Sequence, residues 1–331
     1  MQRIVECVPN FSEGKNIKII NAIGGAITLV EKVKFISAEP DKDYNRTVVT
    51  FIGEPAAVVE AAFQATRKAS ELIDMTQHKG GHPRLGATDV VPFVPISGVS
   101  MVDCVKLAHE FGRRVGNELG IPVYLYEQAA ASPERKNLAA IRKGEYEGLP
   151  EKLKDPAWAP DYGPKTFNAR SGAVVTGARM FLIAYNVNLS VNNLQAAQEI
   201  ASRVRESGRM AVDDLGKKTH IAGSLKAVKA MGVLLDAHNI AQVSMNLVDY
   251  HVTPPHAAFE AVKKEAASLG LEVMGSEIVG LTPKEALLMA GRFYAPNAAK
   301  EEDLIEEAVE ALGLSSLDHF DPAKKIIEFQ L

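Results

Sequence analysis

Residues 6–23, ECVPNFSEGKNIKIINAI, and residues 184–201, AYNVNLSVNNLQAAQEIA, follow one plan: an apolar strand, an Asn-apolar-Ser turn, then a helix. A second pair repeats the pattern. Residues 47–63, TVVTFIGEPAAVVEAAF, and residues 243–259, VSMNLVDYHVTPPHAAF, each run a strand into a proline-started helix. Proline suits that position because the N–H it lacks has no partner in the first helical turn. Matches in the same order point to an internal duplication, and a repeat outweighs any single element in deciding a fold.

Working outward, Arg3–Val8 reads as a strand closed by Pro9, and Ile19, Ile20, Ile23 and Ile27 give helical spacing over Asn16–Val30. Strands Phe35–Ala38 and Thr47–Gly53 flank a polar turn, Pro40–Arg46. A helix follows from Pro55, then a strand at Thr88–Ile96, a helix at Val102–Leu119 and a strand at Val123–Tyr126. The second half repeats the order: strand Phe181–Leu189, helix Asn193–Ser207, strands Val228–Asp236 and Ala241–His251, helix Pro255–Ser268, strand Leu271–Val279. A helix at Pro283–Phe293 and a weakly patterned tail close the chain. The predicted class is α/β (α+β), with two similar ferredoxin-like βαββαβ subdomains, mixed sheets and helices on one face. Between the halves, Glu127–Arg179 carries prolines at 133, 150, 156, 160 and 164 and the sole tryptophan, Trp158. A connection of that length in a compact protein is usually a binding loop or lid.

The 331 residues are 47% hydrophobic and 24% charged, ordinary for a soluble globular chain. A net charge of -4 disfavours a nucleic-acid-binding role while allowing a local basic pocket. The two cysteines, Cys7 and Cys104, form no C-x-x-C pair, so neither a disulfide framework nor a zinc cluster is expected. No apolar run reaches the ~18 residues of a membrane span, and the N-terminus lacks a signal-peptide core. A cytoplasmic protein is the expectation.

The candidate site is His78–Pro95, HKGGHPRLGATDVVPFVP. Its glycines and proline suit neither helix nor strand, so polar groups sit in an irregular loop at the mouth of a strand. His78 and His82 have a metal-ligand spacing on a helix, but Gly80 and Gly81 oppose a helix and no third ligand follows; no metal is expected. No nucleophile elbow and no phosphate-cradling glycine loop appears. Acid–base chemistry remains, with His82 titrating near neutrality and Arg46 and Asp89 entering strands near the same cleft. Cys7, inside an apolar strand, is expected to pack.

These residues resemble the formimidoyltransferase (glutamate formiminotransferase) family. The matching blocks include VECVPNFSEGKN at 5–16, NRTVVTF at 45–51, LIDMTQHKGGHPRLGATDVVPF at 72–93, PVYLYE at 122–127, GEYEGLPEKL at 144–153, WAPDYGP at 158–164 and GARMFLIAYNVNL at 177–189. NIAQVSMNLVDY and GSEIVGLTP follow late in the chain, so the resemblance runs nearly end to end. The H-P-R-x-G-A-x-D block and the N-terminal block are its highly specific parts. No cyclodeaminase portion follows Leu331, so the free-standing form is expected.

The resemblance implies subdomains at 1–179 and 180–331, a homodimer, and transfer of a formimidoyl group between N-formimidoyl-L-glutamate and tetrahydrofolate, the co-substrate. It places the chain in histidine degradation and one-carbon metabolism. It puts the catalytic histidine on His82 and its partner on Arg46. The acidic partner falls on Glu39 by ungapped spacing, or on Asp41 if the turn shifts. The folate-binding strip falls on Gly163, Pro164, Lys165, Thr166, Phe167, Asn168, Ala169, Arg170, Ser171 and Gly172. Lys165 and Arg170 are the expected attraction for the anionic folate tail. Alternatives on the same fold are glutamate formyltransferase or a 5-formyltetrahydrofolate cyclo-ligase side activity. A non-catalytic folate-binding protein is the alternative from another class.

Overall fold

A computed structural model of the chain describes residues 3–42, 44–212, 218–235 and 238–330. The chain divides into two compact units, Met1–Met180 and Phe181–Leu331.

The first unit begins with a strand in two pieces, β1 (Ile4–Cys7) and β2 (Asn10–Phe11). Pro9 does not end this strand, as the sequence reading expected. It removes one donor, yet its carbonyl still accepts from Val49 N–H at 2.9 Å, and pairing resumes at Asn10. Helix α1 (Ile17–Thr28) is capped by the Asn16 side chain and buries Ile20, Ile23 and Ile27, the stripe read from the sequence. Strands β3 (Val33–Asp41) and β4 (Arg46–Gly53) follow, then α2 (Pro55–Leu72), β5 (Thr88–Ser97), α3 (Met101–Glu118) and β6 (Val123–Glu127). Strand β3 runs through Glu39-Pro40-Asp41, which the sequence reading assigned partly to a turn. Among the described residues it is an edge strand paired only with β4, where a proline is tolerated.

The long connection contributes α4 (Leu138–Arg142), α5 (Glu145–Lys152) and one strand, β7 (Val174–Ala178), that the sequence reading passed over. Across the sheet the order is β3-β4-β1/β2-β5-β7-β6. The first four positions are the antiparallel ferredoxin-like arrangement, and β7 then pairs parallel with both β5 and β6. Alternation sets two faces. Val91, Phe93, Val123, Leu125 and Val174 turn toward the core shared with α1, α2 and α3, while Val90, Tyr124, Tyr126 and Val175 turn the other way. The long helices therefore occupy one face, as expected, and the connection covers part of the second through Ile141, Leu149 and Leu153. Cys7 and Cys104 are both free and buried in the first core.

The second unit carries β8 (Ile183–Leu189), α6 (Leu194–Val204), a hairpin of β9 (Arg209–Val212) and β10 (Lys218–Ile221), then β11 (Val228–Leu235), β12 (Ile240–Leu247), α7 (Pro255–Ser268) and β13 (Val273–Val279). Its four-stranded sheet, β11-β12-β8-β13, repeats the first unit's core order and is antiparallel throughout. The mixed character predicted for both sheets thus belongs to the first. Asp236, the last residue of one predicted strand, lies outside the described residues. Helices α8 (Lys284–Tyr294), α9 (Glu301–Ala311) and α10 (Pro322–Lys325) follow, with a 3-10 turn at Ile327–Gln330 after them. Among the described residues no helix is long and apolar enough to cross a membrane.

Candidate active site

Three sequence-distant segments of the first unit converge on His82. The turn after β3 is held by Asn45, in the left-handed region at φ 49°. Its side chain accepts from Gly14 N–H at 2.9 Å and donates to the Lys79 carbonyl at 2.9 Å, tying the N-terminal block to the His78–His82 loop. A Cβ on Gly14 would lie 2.0 Å from the Asp41 carbonyl oxygen, so only glycine permits this approach. Beyond His82 the loop is pinned by Ser12 Oγ donating to the Gly86 carbonyl at 2.7 Å and by a bridge between Gly86 and Gly172.

Arg46 and His82 meet directly: Nη1 of Arg46 donates to Nε2 of His82 at 2.7 Å. A guanidinium can only donate, so Nε2 carries the lone pair and the ring is neutral with its proton on Nδ1. Burial, followed by the charges of Arg46 and Arg142, pushes the His82 pKa down to about 4, with Asp41 and a backbone hydrogen bond at Pro83 opposing. Tyr44 stands edge-on to the imidazole at 5.9 Å. The space bounded by Ser12, Tyr44, Arg46, His82 and Asp89 is too tight for a water molecule. Beside it opens a cleft of about 450 Å³, lined by His78, Lys79, Gly80, Arg84, Glu145 and Glu147.

The two histidines differ in role. Arg84 Nε donates to His78 Nδ1 at 3.3 Å, so Nε2 of His78 carries the proton and donates to the Asn45 carbonyl at 3.0 Å. His78 thus holds the turn bearing Arg46. The two acidic candidates also separate. Asp41 faces Arg46 across the β3–β4 ladder, accepts from Tyr44 N–H at 2.9 Å, and its charge acts on both Arg46 and His82. Glu39 stands opposite Val48, is exposed, and accepts from Ser37 Oγ at 3.1 Å. Asp89 lies at the cleft as expected, fully buried, and burial raises its pKa against the pull of Arg142.

The strip 163–172 joins this loop at one end. Ala87 N–H donates to the Ser171 carbonyl at 2.9 Å, and Gly172, at φ 67°, approaches so closely that a Cβ would lie 2.1 Å from the Leu85 carbonyl. Asn168 staples the strip internally, accepting from Ser171 N–H at 3.0 Å through Oδ1 and from Gly172 N–H at 2.7 Å through its carbonyl. Phe167 packs on Tyr146, whose hydroxyl donates to the Ala169 carbonyl at 2.5 Å. Arg170 is committed elsewhere: its guanidinium donates to the Ser70 and Glu71 carbonyls at 3.3 and 2.7 Å, at the C-terminal end of α2. Lys165 and Thr166 are exposed, as is Gly163, with Pro164 half-buried between them. Among the described residues no group of three His, Cys, Asp or Glu side chains is placed to hold a metal.

The sequence reading passed over Tyr44, Arg142, Glu145 and Glu147. The last three lie in the long connection, and Glu145 and Glu147 fall in the block GEYEGLPEKL, which carries the resemblance but assigns them no role.

Comparison with known proteins bears on the same residues. The family model described as "Formiminotransferase domain, N-terminal subdomain" matches residues 4–179, and "Formiminotransferase domain" matches residues 184–331. The chain is 50% identical to the formimidoyltransferase-cyclodeaminase of Gallus gallus over 99% of its own length and 60% of that protein's. It is 44% identical to the glutamate formimidoyltransferases of Streptococcus pyogenes serotype M1 and Thermoplasma acidophilum. Those matches cover 89% and 93% of this chain and 94% and 97% of theirs. The chain therefore spans about 60% of the length of the cyclodeaminase-fused relatives it matches.

Proposed function

The chain belongs to the formiminotransferase domain family, and we propose that it transfers a formimidoyl group between N-formimidoyl-L-glutamate and tetrahydrofolate, giving 5-formimidoyltetrahydrofolate and L-glutamate. The observation that carries this reading is the contact between Arg46 and His82. It joins a neutral imidazole, lone pair turned into the site, to a guanidinium that can exchange that lone pair for a carboxylate.

The transfer requires N5 of the folate to lose a proton and the departing glutamate nitrogen to gain one. One group that accepts and then donates serves both needs, and His82 is that group. A pKa near 4 keeps it unprotonated in the free protein, but it also makes for a weak base. The substrate corrects this. A carboxylate that takes Arg46 in a bidentate pair frees Nε2 and neutralises a charge that had opposed protonation, so basicity rises when substrate is seated. Asp41 balances and orients Arg46; Glu39, facing Ser37, does not.

Tetrahydrofolate fits the strip 163–172 in part. Lys165 is an exposed cation without an ion pair among the described residues, suited to the anionic tail, and the exposed backbone at Gly163 can approach a flat ring, whereas Gly172 is buried against Leu85 and Gly86. Arg170, held by α2, contributes to the fold of the strip instead. The same reading places the protein in histidine degradation and one-carbon metabolism, in the cytoplasm and as a homodimer. Light scattering on the purified chain tests the last point.

The deciding experiment is an assay with formiminoglutamate and tetrahydrofolate, run beside N-formylglutamate and 5-formyltetrahydrofolate with ATP. Faster turnover of either formyl compound would replace the reading with a formyl-transfer or cyclo-ligase activity; folate binding without turnover would replace it with a binding protein.

A further inference from the structure

Arg84 and Asp89, the oppositely charged residues of the H-P-R-x-G-A-x-D block, are both buried, yet the proton transfer assigned to His82 uses neither. Each is answered by a charge from one short stretch, residues 142–147. Arg142 donates through Nη2 to one oxygen of Asp89, whose other oxygen accepts from Leu85 N–H at 2.9 Å. Glu147 takes two N–H groups of Arg84 at 2.6 and 2.8 Å, and Glu145 accepts from the same guanidinium at 3.0 Å. Backbone closes the junction, with Tyr146 N–H donating to the Arg84 carbonyl at 2.8 Å.

The loop thus offers plus then minus, and the stretch answers with both signs. Without Arg142, Asp89 would be a buried carboxylate with no opposite charge, a strongly destabilising arrangement. The pairing also has a mechanical consequence. The loop around His82 has no helical or strand hydrogen bonds of its own, and Gly80, Gly81 and Pro83 supply no side-chain packing to replace them. Arg84 and Leu85 stand two and three residues from His82, so their anchors set where the imidazole meets Arg46. A misplacement of about 1 Å at a reacting group can cost about 100-fold in rate.

We propose that Arg142 and Glu147 are positioning residues of the transfer site, latching the His82 loop through Asp89 and Arg84. The proposal rests on the reading of His82 as the proton-transfer group.

The test compares Arg142→Gln, Arg142→Lys and Glu147→Gln in the full chain. It measures kcat, KM for both substrates, and the His82 ring signals by NMR without substrate. The Glu147 side chain is 64% exposed and Arg84 keeps Glu145 as a partner, so Glu147→Gln is the milder change and serves as the test should the Arg142 variants fail to fold. The latch predicts a kcat lowered about 10- to 100-fold in Arg142→Gln and Glu147→Gln, with both KM values within about threefold. His82 signals shift in both. In Arg142→Gln its titration also rises, because one of the two facing guanidiniums is gone while Arg46 and Asp41 remain; Arg142→Lys restores the titration and part of kcat. A kcat within about twofold of the parent in both glutamine variants, or His82 signals unmoved in both, overturns the latch. If the parent shows no transferase activity, the reading of the site fails, and the substrate-free NMR measurement still decides the latch.

Discussion

Arg46 caps the basic nitrogen of His82: its Nη1 lies 2.7 Å from Nε2, in a space too tight for water. That nitrogen is therefore occupied in the free protein, and if His82 is the proton-transfer group proposed above, substrate must reorganise the pair first. This yields a distinctive pH signature. With its pKa near 4, below the ordinary 6.5, His82 binds fewer protons folded than unfolded between those values. Its contribution to stability is full above about pH 6.5 and is lost as pH falls through about 4. Arg46→Gln should move the His82 titration up toward the ordinary value, read by ¹H–¹⁵N NMR. A titration left near 4 in that variant would show that the guanidinium is not a cause.

His82→Ala should lower kcat by about 10²–10⁴-fold, the usual worth of a positioned acid–base group, with far-UV circular dichroism and Tm retained. Near-normal turnover in a folded variant would remove His82 from the mechanism.

Lys165 and Arg170 should separate cleanly. Lys165→Gln is expected to raise the folate KM about three- to tenfold, the factor for about 1 kcal/mol of lost charge-assisted contact, without changing Tm. Arg170→Gln removes donors from the last carbonyls of α2 and should lower Tm first. Equal kinetic effects with equal stability would contradict this division.

Gly14→Ala tests the turn that presents Arg46. The new methyl would press on the Asp41 carbonyl at 2.0 Å, so the turn must shift and kcat should fall at least about tenfold. Unchanged kinetics would mean that the turn tolerates the methyl and Arg46 keeps its place.

Glu6 offers a stability test at a group that the proposed proton transfer does not use. Burial raises its pKa to about 7 against the pull of Arg179, so the folded state holds a proton that the unfolded state has released above about pH 4.5. The native state is then penalised as pH rises from about 4.5 to 7, by an amount on the order of a few kcal/mol. Glu6→Gln should raise Tm at pH 8 and leave it unchanged at pH 4. Parallel melting curves across that range would rule the buried carboxyl out as a source of pH dependence.

Most of the fold was legible because its signals are local. The isoleucine stripe of α1, the prolines opening α2 and α7, and the repeated strand-turn-helix plan each follow from periods that neighbouring residues carry. Strand β7 escaped because five residues at the end of a proline-rich connection are too few to show a period; its pairing with β5 and β6 defines it.

By itself, the sequence determined the duplicated ferredoxin-like plan, the irregular loop with His82, and the resemblance that joined His82 to Arg46. Only the tertiary structure decided that Asp41 rather than Glu39 faces that pair, that His78 donates to the Asn45 carbonyl in the turn, that Arg170 donates to the end of α2, and that Arg142 and Glu147 pair with the loop. The physical reason is range. Helical and strand periods are written in adjacent residues, whereas a charge pair across 53 or 63 positions depends on where two irregular segments are carried by the elements between them. Such segments have no period to read.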